Sequence, residues 1–385
     1  MNVRPYGKNG FDVSAFGVGC MRLPRIFDAN GNTSVDKDKA IELIRYAVDH
    51  GVTYFDSAYS YHNTTSESVL GEALDGGYRE KVRIATKQPL GVMKTQADIG
   101  KNLENTLKKL RTDHIDMYLI HNINGSAWDT IKERKIIQEY EKFRAEGLIG
   151  GIGFSYHGPF PGFKDILEYY QWNMCQIQQN MLDGANEATT EAIRLAGKRG
   201  TALVIMEPLR GGGLANAPSS VKAIYDTSPI KRSPVEWAFR YLLDFPEVST
   251  ILSGVTTLEQ LKDNIEIFSK PDAVPNCLTA TDKEILVKAK AAYESIVTIP
   301  CTGCEYCLPC PQGVGIPKIF ELYNNGFRFE SFDQQKRSYT FIAMSGGKKA
   351  DVCVECNVCK KKCPQQIDIP NQLKVAHEAL AGWVE

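Results

Sequence analysis

The sequence has no excess charge of either sign: 45 Lys and Arg stand against 46 Asp and Glu in 385 residues. With the basic residues scattered in ones and twos, that balance leaves no electrostatic footprint for DNA or RNA. The longest basic run, Lys360-Lys361-Lys362, reads as a solvated face. No stretch approaches the roughly 18 apolar residues of a membrane span. The opening residues, Met1-Asn2-Val3-Arg4-Pro5, lack the apolar core of a signal peptide. A soluble, cytoplasmic protein is therefore expected. No Gly-x-Gly-x-x-Gly follows the first strand-like run, which removes the Rossmann signature, and no flavin motif is present. Eleven cysteines without a secretion signal favour metal over disulfides.

What the sequence does contain is a regular alternation. Apolar β-type runs are expected at 13–19, 51–56, 82–87, 115–121, 149–155, 174–178, 202–206 and 248–253. Each is followed by a helical stripe, as where Ala40, Ile41, Ile44 and Val48 share one face before Gly51 stops the helix. A single long helix is expected from Trp128 to Glu146, and Ser66 is a candidate cap for the helix to Leu74. The strands are apolar on both faces, as in a covered parallel sheet. Doubly wound sheets alternate in the same way, but without a dinucleotide fingerprint a (β/α)8 barrel is the expected fold. Pro271 to Pro275 reads as a linker, giving a barrel over 1–275 and a mainly helical region over 276–385.

Three strand-like runs end in polar groups: Asp56 after Tyr54-Phe55, Lys87 after Ile84-Ala85-Thr86, and His121 after Leu119-Ile120. Tyr61 follows Asp56 by five residues. Taken singly, each has a structural explanation: a helix cap, a rim aromatic, a surface charge, a satisfied core histidine. Together they fall where parallel strand ends converge on one rim. Their shared chemistry would be proton donation to a carbonyl during hydride transfer. A tyrosine is a weak acid, with a reference pKa of about 10. A nearby ammonium favours the phenolate, and a carboxylate would hold that ammonium in place. Tyr61 is thus the candidate general acid, Lys87 its tuner, Asp56 the anchor of Lys87, and His121 the group that orients the carbonyl.

These residues, with Tyr6-Gly7-Lys8-Asn9-Gly10, Phe16-Gly17-Val18-Gly19-Cys20-Met21-Arg22, Phe55-Asp56-Ser57-Ala58, Gly153-Phe154-Ser155, Gln176-Ile177-Gln178 and Glu207-Pro208-Leu209, resemble the aldo-keto reductase family over about residues 1–270. The resemblance selects Tyr61 over Tyr59 as the acid. It also implies NAD(P)H bound at the barrel mouth without a Rossmann fold. Ser155 and Gln178 match positions that hold the nicotinamide carboxamide. Met206, Pro208 and Leu209 lead into the loop of Gly211, Gly212 and Leu214, which in the family covers the pyrophosphate. Ser253, Gly254 and Thr256, with Gln260 and Asn264, resemble the adenosine site. The chain departs from the family in two places. Met206 replaces an aromatic, and Gly254 and Gln260 stand where NADPH-dependent members often carry Lys or Arg, so both NADH and NADPH stay open.

Downstream, Cys301-x2-Cys304-x2-Cys307-x2-Cys310-Pro311 is followed by Cys353-x2-Cys356-x2-Cys359-x3-Cys363-Pro364. The second run has bacterial ferredoxin spacing, in which the cysteine before proline ligates the other cluster. One 4Fe-4S cluster is then expected on Cys301, Cys304, Cys307 and Cys363, and a second on Cys353, Cys356, Cys359 and Cys310. Four-thiolate zinc is the competing reading. The helical insertion between the runs resembles α-helical ferredoxins of redox subunits. Cys20, Cys175 and Cys277 are left over as buried thiols.

Both halves together read as an iron–sulfur aldo-keto reductase acting on a small carbonyl or alcohol. A nicotinamide passes two electrons and a cluster one. The clusters would therefore serve a redox partner protein or brace the C-terminal region. The alternative is an electron-transfer module whose barrel is a docking or ligand-sensing platform, against which the complete set of four rim residues counts.

Overall fold

Short apolar strands pair in parallel, each with the next, until the eighth returns to the first. They are β1 (Phe16–Gly19), β2 (Tyr54–Asp56), β3 (Arg83–Pro89), β4 (Ile115–Ile123), β5 (Ile149–Tyr156), β6 (Met174–Gln178), β7 (Ala202–Met206) and β8 (Val248–Ser253). Closure comes from the pairing of Ile251 with Phe16 and of Ser253 with Val18. The expected (β/α)8 barrel is what forms. The computed structural model describes residues 1–27, 33–123, 125–183, 187–301 and 303–382. Among these, no helix is long and apolar enough to cross a membrane. The chain divides into two compact units, Met1–Leu209 with Ala238–Leu278, and Arg210–Trp237 with Thr279–Glu385.

In the first unit, the run expected as one strand over 13–19 is split. Val3–Pro5 and Asp12–Ser14 form an antiparallel hairpin, and only Phe16–Gly19 enters the barrel. Tyr6 and Val13 from the hairpin join Tyr54, Met117, Met174 and Val204 in one buried cluster. The Tyr6 and Tyr54 hydroxyls stand 3.0 Å apart. Arg4, also buried, donates to the carbonyls of Leu243, Val248 and Phe245 at 2.6, 2.9 and 3.1 Å.

The hairpin turn needs glycine. Gly7 has φ +56°, and a Cβ there would lie 2.5 Å from the backbone nitrogen of Ala202 and 2.7 Å from the carbonyl oxygen of Gly200. Both obstacles are main chain and cannot swing aside. Gly7→Ala is expected to cost about 2–3 kcal/mol in urea unfolding. An unchanged midpoint would mean that the main chain at Gly200 and Ala202 yields to the added methyl.

The helix expected from Trp128 to Glu146 is two helices, Gly125–Glu133 and Ile136–Ala145, parted at Lys135 with φ +54°. Residues five apart stand about 140° round an ideal helix, yet Ile131 and Ile136 are both fully buried. A left-handed residue between them lets both face inward. Ser66 is not a cap: its hydroxyl is buried, 2.9 Å from that of Ser57, and it donates to the Cys20 carbonyl.

In the second unit, helices Ala280–Ser295, Ile316–Arg328 and Ile369–Leu380 carry much of the packing. A core of Ile299, Ile316, Ile319, Phe320, Leu373 and Leu380 includes the cysteines Cys307 and Cys359. The segment 210–237 packs within this unit. Arg232 meets Asp282 at 2.6 Å with both side chains nearly fully buried, and Asp282 also closes a capping box with Thr279.

Candidate active site and cysteine cavities

The site begins with the way β2 hands over to its loop. The Ser57 N–H donates to the Ala85 carbonyl and the Tyr59 N–H to the Lys87 carbonyl, so the loop runs along the end of β3. The turn closed by the Tyr61 N–H on the Ala58 carbonyl then brings the phenol back over Lys87. Lys87 is only 1% exposed, and its Nζ reaches Asp56 Oδ1 at 2.5 Å, the Ser57 carbonyl at 2.8 Å and the Tyr61 hydroxyl at 3.3 Å. An ammonium has three N–H donors. Two are held by the anchors, and the third faces the phenol oxygen.

His121 enters from β4, paired in register with Pro89 of β3. Its ring meets that of Tyr61 edge-on, with centroids 5.9 Å apart at 82°. The structure therefore brings Asp56, Tyr61, Lys87 and His121 together at one rim.

Electrostatics assign the protonation states. Burial pushes the His121 pKa down to about 3, helped by the positive Lys87 and by His157, so the imidazole is neutral. Burial alone would lower Lys87, but Asp56 and Tyr61 outweigh it and the ammonium is kept. Burial raises the Asp56 carboxyl against the pull of Lys87 and Gln176. Tyr61 differs from the sequence expectation. Lys87 does draw its pKa down, but burial is the larger effect and the net direction is up. The group is a firmly protonated phenol.

The other residues singled out in the barrel unit lie along the same strand ends. Ser155, buried on β5, accepts from the Asn122 N–H at 2.8 Å, which leaves its own O–H available. Gln178 and Met206 close β6 and β7 as register partners, and Gln178 lies 3.4 Å from the Asp183 carboxylate. Pro208 is buried and Leu209 half-buried beyond them. Asn264 donates to Ser253 at 3.2 Å across the turn that contains Gly254, and Gln260 accepts from the Thr256 N–H at 2.9 Å just beyond it. Gly211, Gly212 and Leu214 belong to the second unit, where the two glycines take φ +67° and +99°. Sequence reading gave no role to two residues that act on the site: Gln176, which draws the Asp56 pKa down, and His157, whose charge lowers that of His121. Gln176 could have been found, since it precedes Gln178 by two on one strand and so shares its face.

None of the eleven cysteines of the chain, all among the described residues, is disulfide-bonded, and eight of them lie in the second unit. Cys301, Cys304, Cys307 and Cys363 line one cavity with Ile316, Phe320 and Ile369. Cys310, Cys353, Cys356 and Cys359 line another with Ile316 and Leu373. Among the described residues, no three His, Cys, Asp or Glu side chains are gathered for a single metal ion. The thiols stand around cavities, not around a point. Burial raises Cys307 to about 11 and lifts Cys301 and Cys359 as well, so these groups are thiols until a metal deprotonates them.

Each part matches a known family. Residues 17–275 match the aldo/keto reductase family and residues 300–368 match a 4Fe-4S dicluster domain. The chain is 25% identical over 297 residues to the uncharacterized oxidoreductase YqkF of Bacillus subtilis, covering 69% of this chain and 90% of that one. It is 24% identical over 328 residues to L-galactose dehydrogenase of Arabidopsis thaliana, covering 77% and 95% respectively. Among solved structures, an aldo-keto reductase of Bacillus halodurans in its holo form superposes with a TM-score of 0.62 at 25% identity, covering 75% of this chain and 96% of that one. With a closed eight-stranded barrel and a family model that spans more than half of it, the chain belongs to the aldo/keto reductase family of oxidoreductases, extended at its C-terminal end by a 4Fe-4S dicluster domain.

Proposed function

We propose that the protein reduces a small carbonyl compound with NADH or NADPH, and oxidises the alcohol in reverse, with Tyr61 as general acid. The observation that carries this is the third N–H of Lys87, 3.3 Å from the Tyr61 oxygen while Asp56 and Ser57 hold the other two. The nicotinamide, when bound, supplies the hydride. Tyr61 donates a proton to the carbonyl oxygen, and Lys87 stabilises the phenolate left behind. Asp56 keeps Lys87 charged and in place. His121, neutral, donates a hydrogen bond that orients the carbonyl. Ser155 and Gln178 hold the carboxamide of the nicotinamide, and Ser253 and Asn264 lie toward its adenosine end.

In the second unit, the two sets of four thiols fit two 4Fe-4S clusters. Each set lines its own cavity, with no disulfide competing. Such clusters pass single electrons, which suits a redox partner protein.

The test is consumption of reduced nicotinamide by the anaerobic holoprotein in the presence of simple aldehydes and ketones. A protein that binds neither NADH nor NADPH would end this reading. The pH profile adds a second check. A donor must be protonated, and a pKa raised above about 10 extends the protonated range upward. With His121 at about 3, reduction is expected to stay flat from weakly acidic to alkaline pH and to fall only as the phenol ionises. An inflection near the ordinary histidine value of about 6.5 would instead make an imidazolium the acid.

A further inference from the structure

The segment following β8 carries no cation from Ser253 to Gln260. The fold supplies one from another loop. Because β8 pairs with β1, Ser253 against Val18, the turn Cys20–Arg22 that follows β1 emerges beside Gly254. A Cβ placed on Gly254 would stand 3.1 Å from each of Cβ, Cγ and Cδ of Arg22. Three successive stem carbons at one distance mean that the arginine lies lengthwise against bare glycine backbone. The guanidinium is joined directly to that Cδ, so it is confined to the neighbourhood of residues 253–256. Arg22 is half-buried, and among the described residues its guanidinium has no hydrogen bond or ion pair with the protein. An arginine stem held in place beneath a planar five-donor head with no protein partner is a ready receptor for a phosphate.

We propose that Arg22, seated on Gly254, binds a phosphate of the dinucleotide and replaces the cation that the β8 segment lacks. This rests on the nucleotide reading above. Gly254 is the complementary half of the device: its backbone is outside the left-handed region, so alanine costs no backbone strain there and acts only by displacing Arg22.

The experiment measures dissociation constants of NADPH, NADH and adenosine 2′,5′-bisphosphate for the full-length holoprotein by fluorescence quenching. Thermal unfolding confirms that each variant is folded. Arg22→Ala is expected to weaken NADPH by about 10- to 100-fold, the worth of a charge-assisted hydrogen bond. Arg22→Lys should recover part of the loss, and Gly254→Ala should weaken binding in the same direction. If NADPH and the bisphosphate suffer while NADH suffers much less, the phosphate is the 2′-phosphate. If both dinucleotides weaken equally, it is the pyrophosphate. Unchanged affinities in Arg22→Ala overturn the assignment while leaving the nucleotide reading intact. A wild-type protein that binds neither dinucleotide overturns both.

Discussion

Tyr61→Phe is expected to slow carbonyl reduction by about 10²- to 10⁴-fold, the usual contribution of a positioned general acid, with nucleotide affinity nearly unchanged. The substitution removes one oxygen. It keeps the ring that packs edge-on to His121, and it leaves Lys87 with Asp56 and the Ser57 carbonyl as partners. Replacing Lys87 is a poorer test, because Asp56 would be left as a buried charge without its partner. Breaking such a pair costs about 3–5 kcal/mol, and lost activity could then reflect lost folding. Steady-state rates with NADPH and NADH, with binding measured separately, decide the matter. Unchanged turnover in Tyr61→Phe would remove the phenol from the chemistry. A fall in affinity matching the fall in rate would make it a binding group instead.

The second large effect concerns the cysteines. Anaerobically purified protein is expected to hold about eight irons, four for each cluster, with brown absorbance. Cys363 ends the second run but lines the cavity of Cys301, Cys304 and Cys307, while Cys310 ends the first run but lines the cavity of Cys353, Cys356 and Cys359. Cys363→Ser should therefore impair the cluster of the first run, and Cys310→Ser that of the second. Iron would fall from about eight toward about four in each variant. Combining Cys363→Ser with Cys353→Ser should affect both clusters, whereas combining it with Cys301→Ser should affect one. Iron analysis with spectroscopy of the reduced protein separates these outcomes. Colourless, zinc-loaded protein would overturn the cluster assignment. Losses that followed the sequence runs would overturn the exchange of the two Cys-Pro cysteines.

Much of this was legible along the chain because it is written in short-range patterns. The apolar runs over 174–178, 202–206 and 248–253 end where the strands end. A strand buried on both faces has no polar alternation to blur its limits. Asp56, Lys87 and His121 could be grouped because parallel strands deliver their ends to one rim, so position on a strand stands in for position in space. Cysteine spacing carries the same kind of information, since a cubane fixes how few residues can separate its ligands.

Properties that depend on several segments at once were decided by the tertiary structure alone. Lys135 breaks the fourth helical stretch with a left-handed backbone, which lets Ile131 on one side and Ile136 on the other both be buried. Tyr61 keeps a raised pKa because enclosure by neighbours distant in sequence outweighs the one ammonium that proximity to Asp56 suggested. Arg22 meets Gly254, 232 positions away in sequence, only because the barrel closes and brings the first strand against the eighth. A linear pattern records which groups are present and how each segment lies. Desolvation, like a contact across the seam of the barrel, is a sum over everything nearby, and that neighbourhood exists only after the sheet has closed.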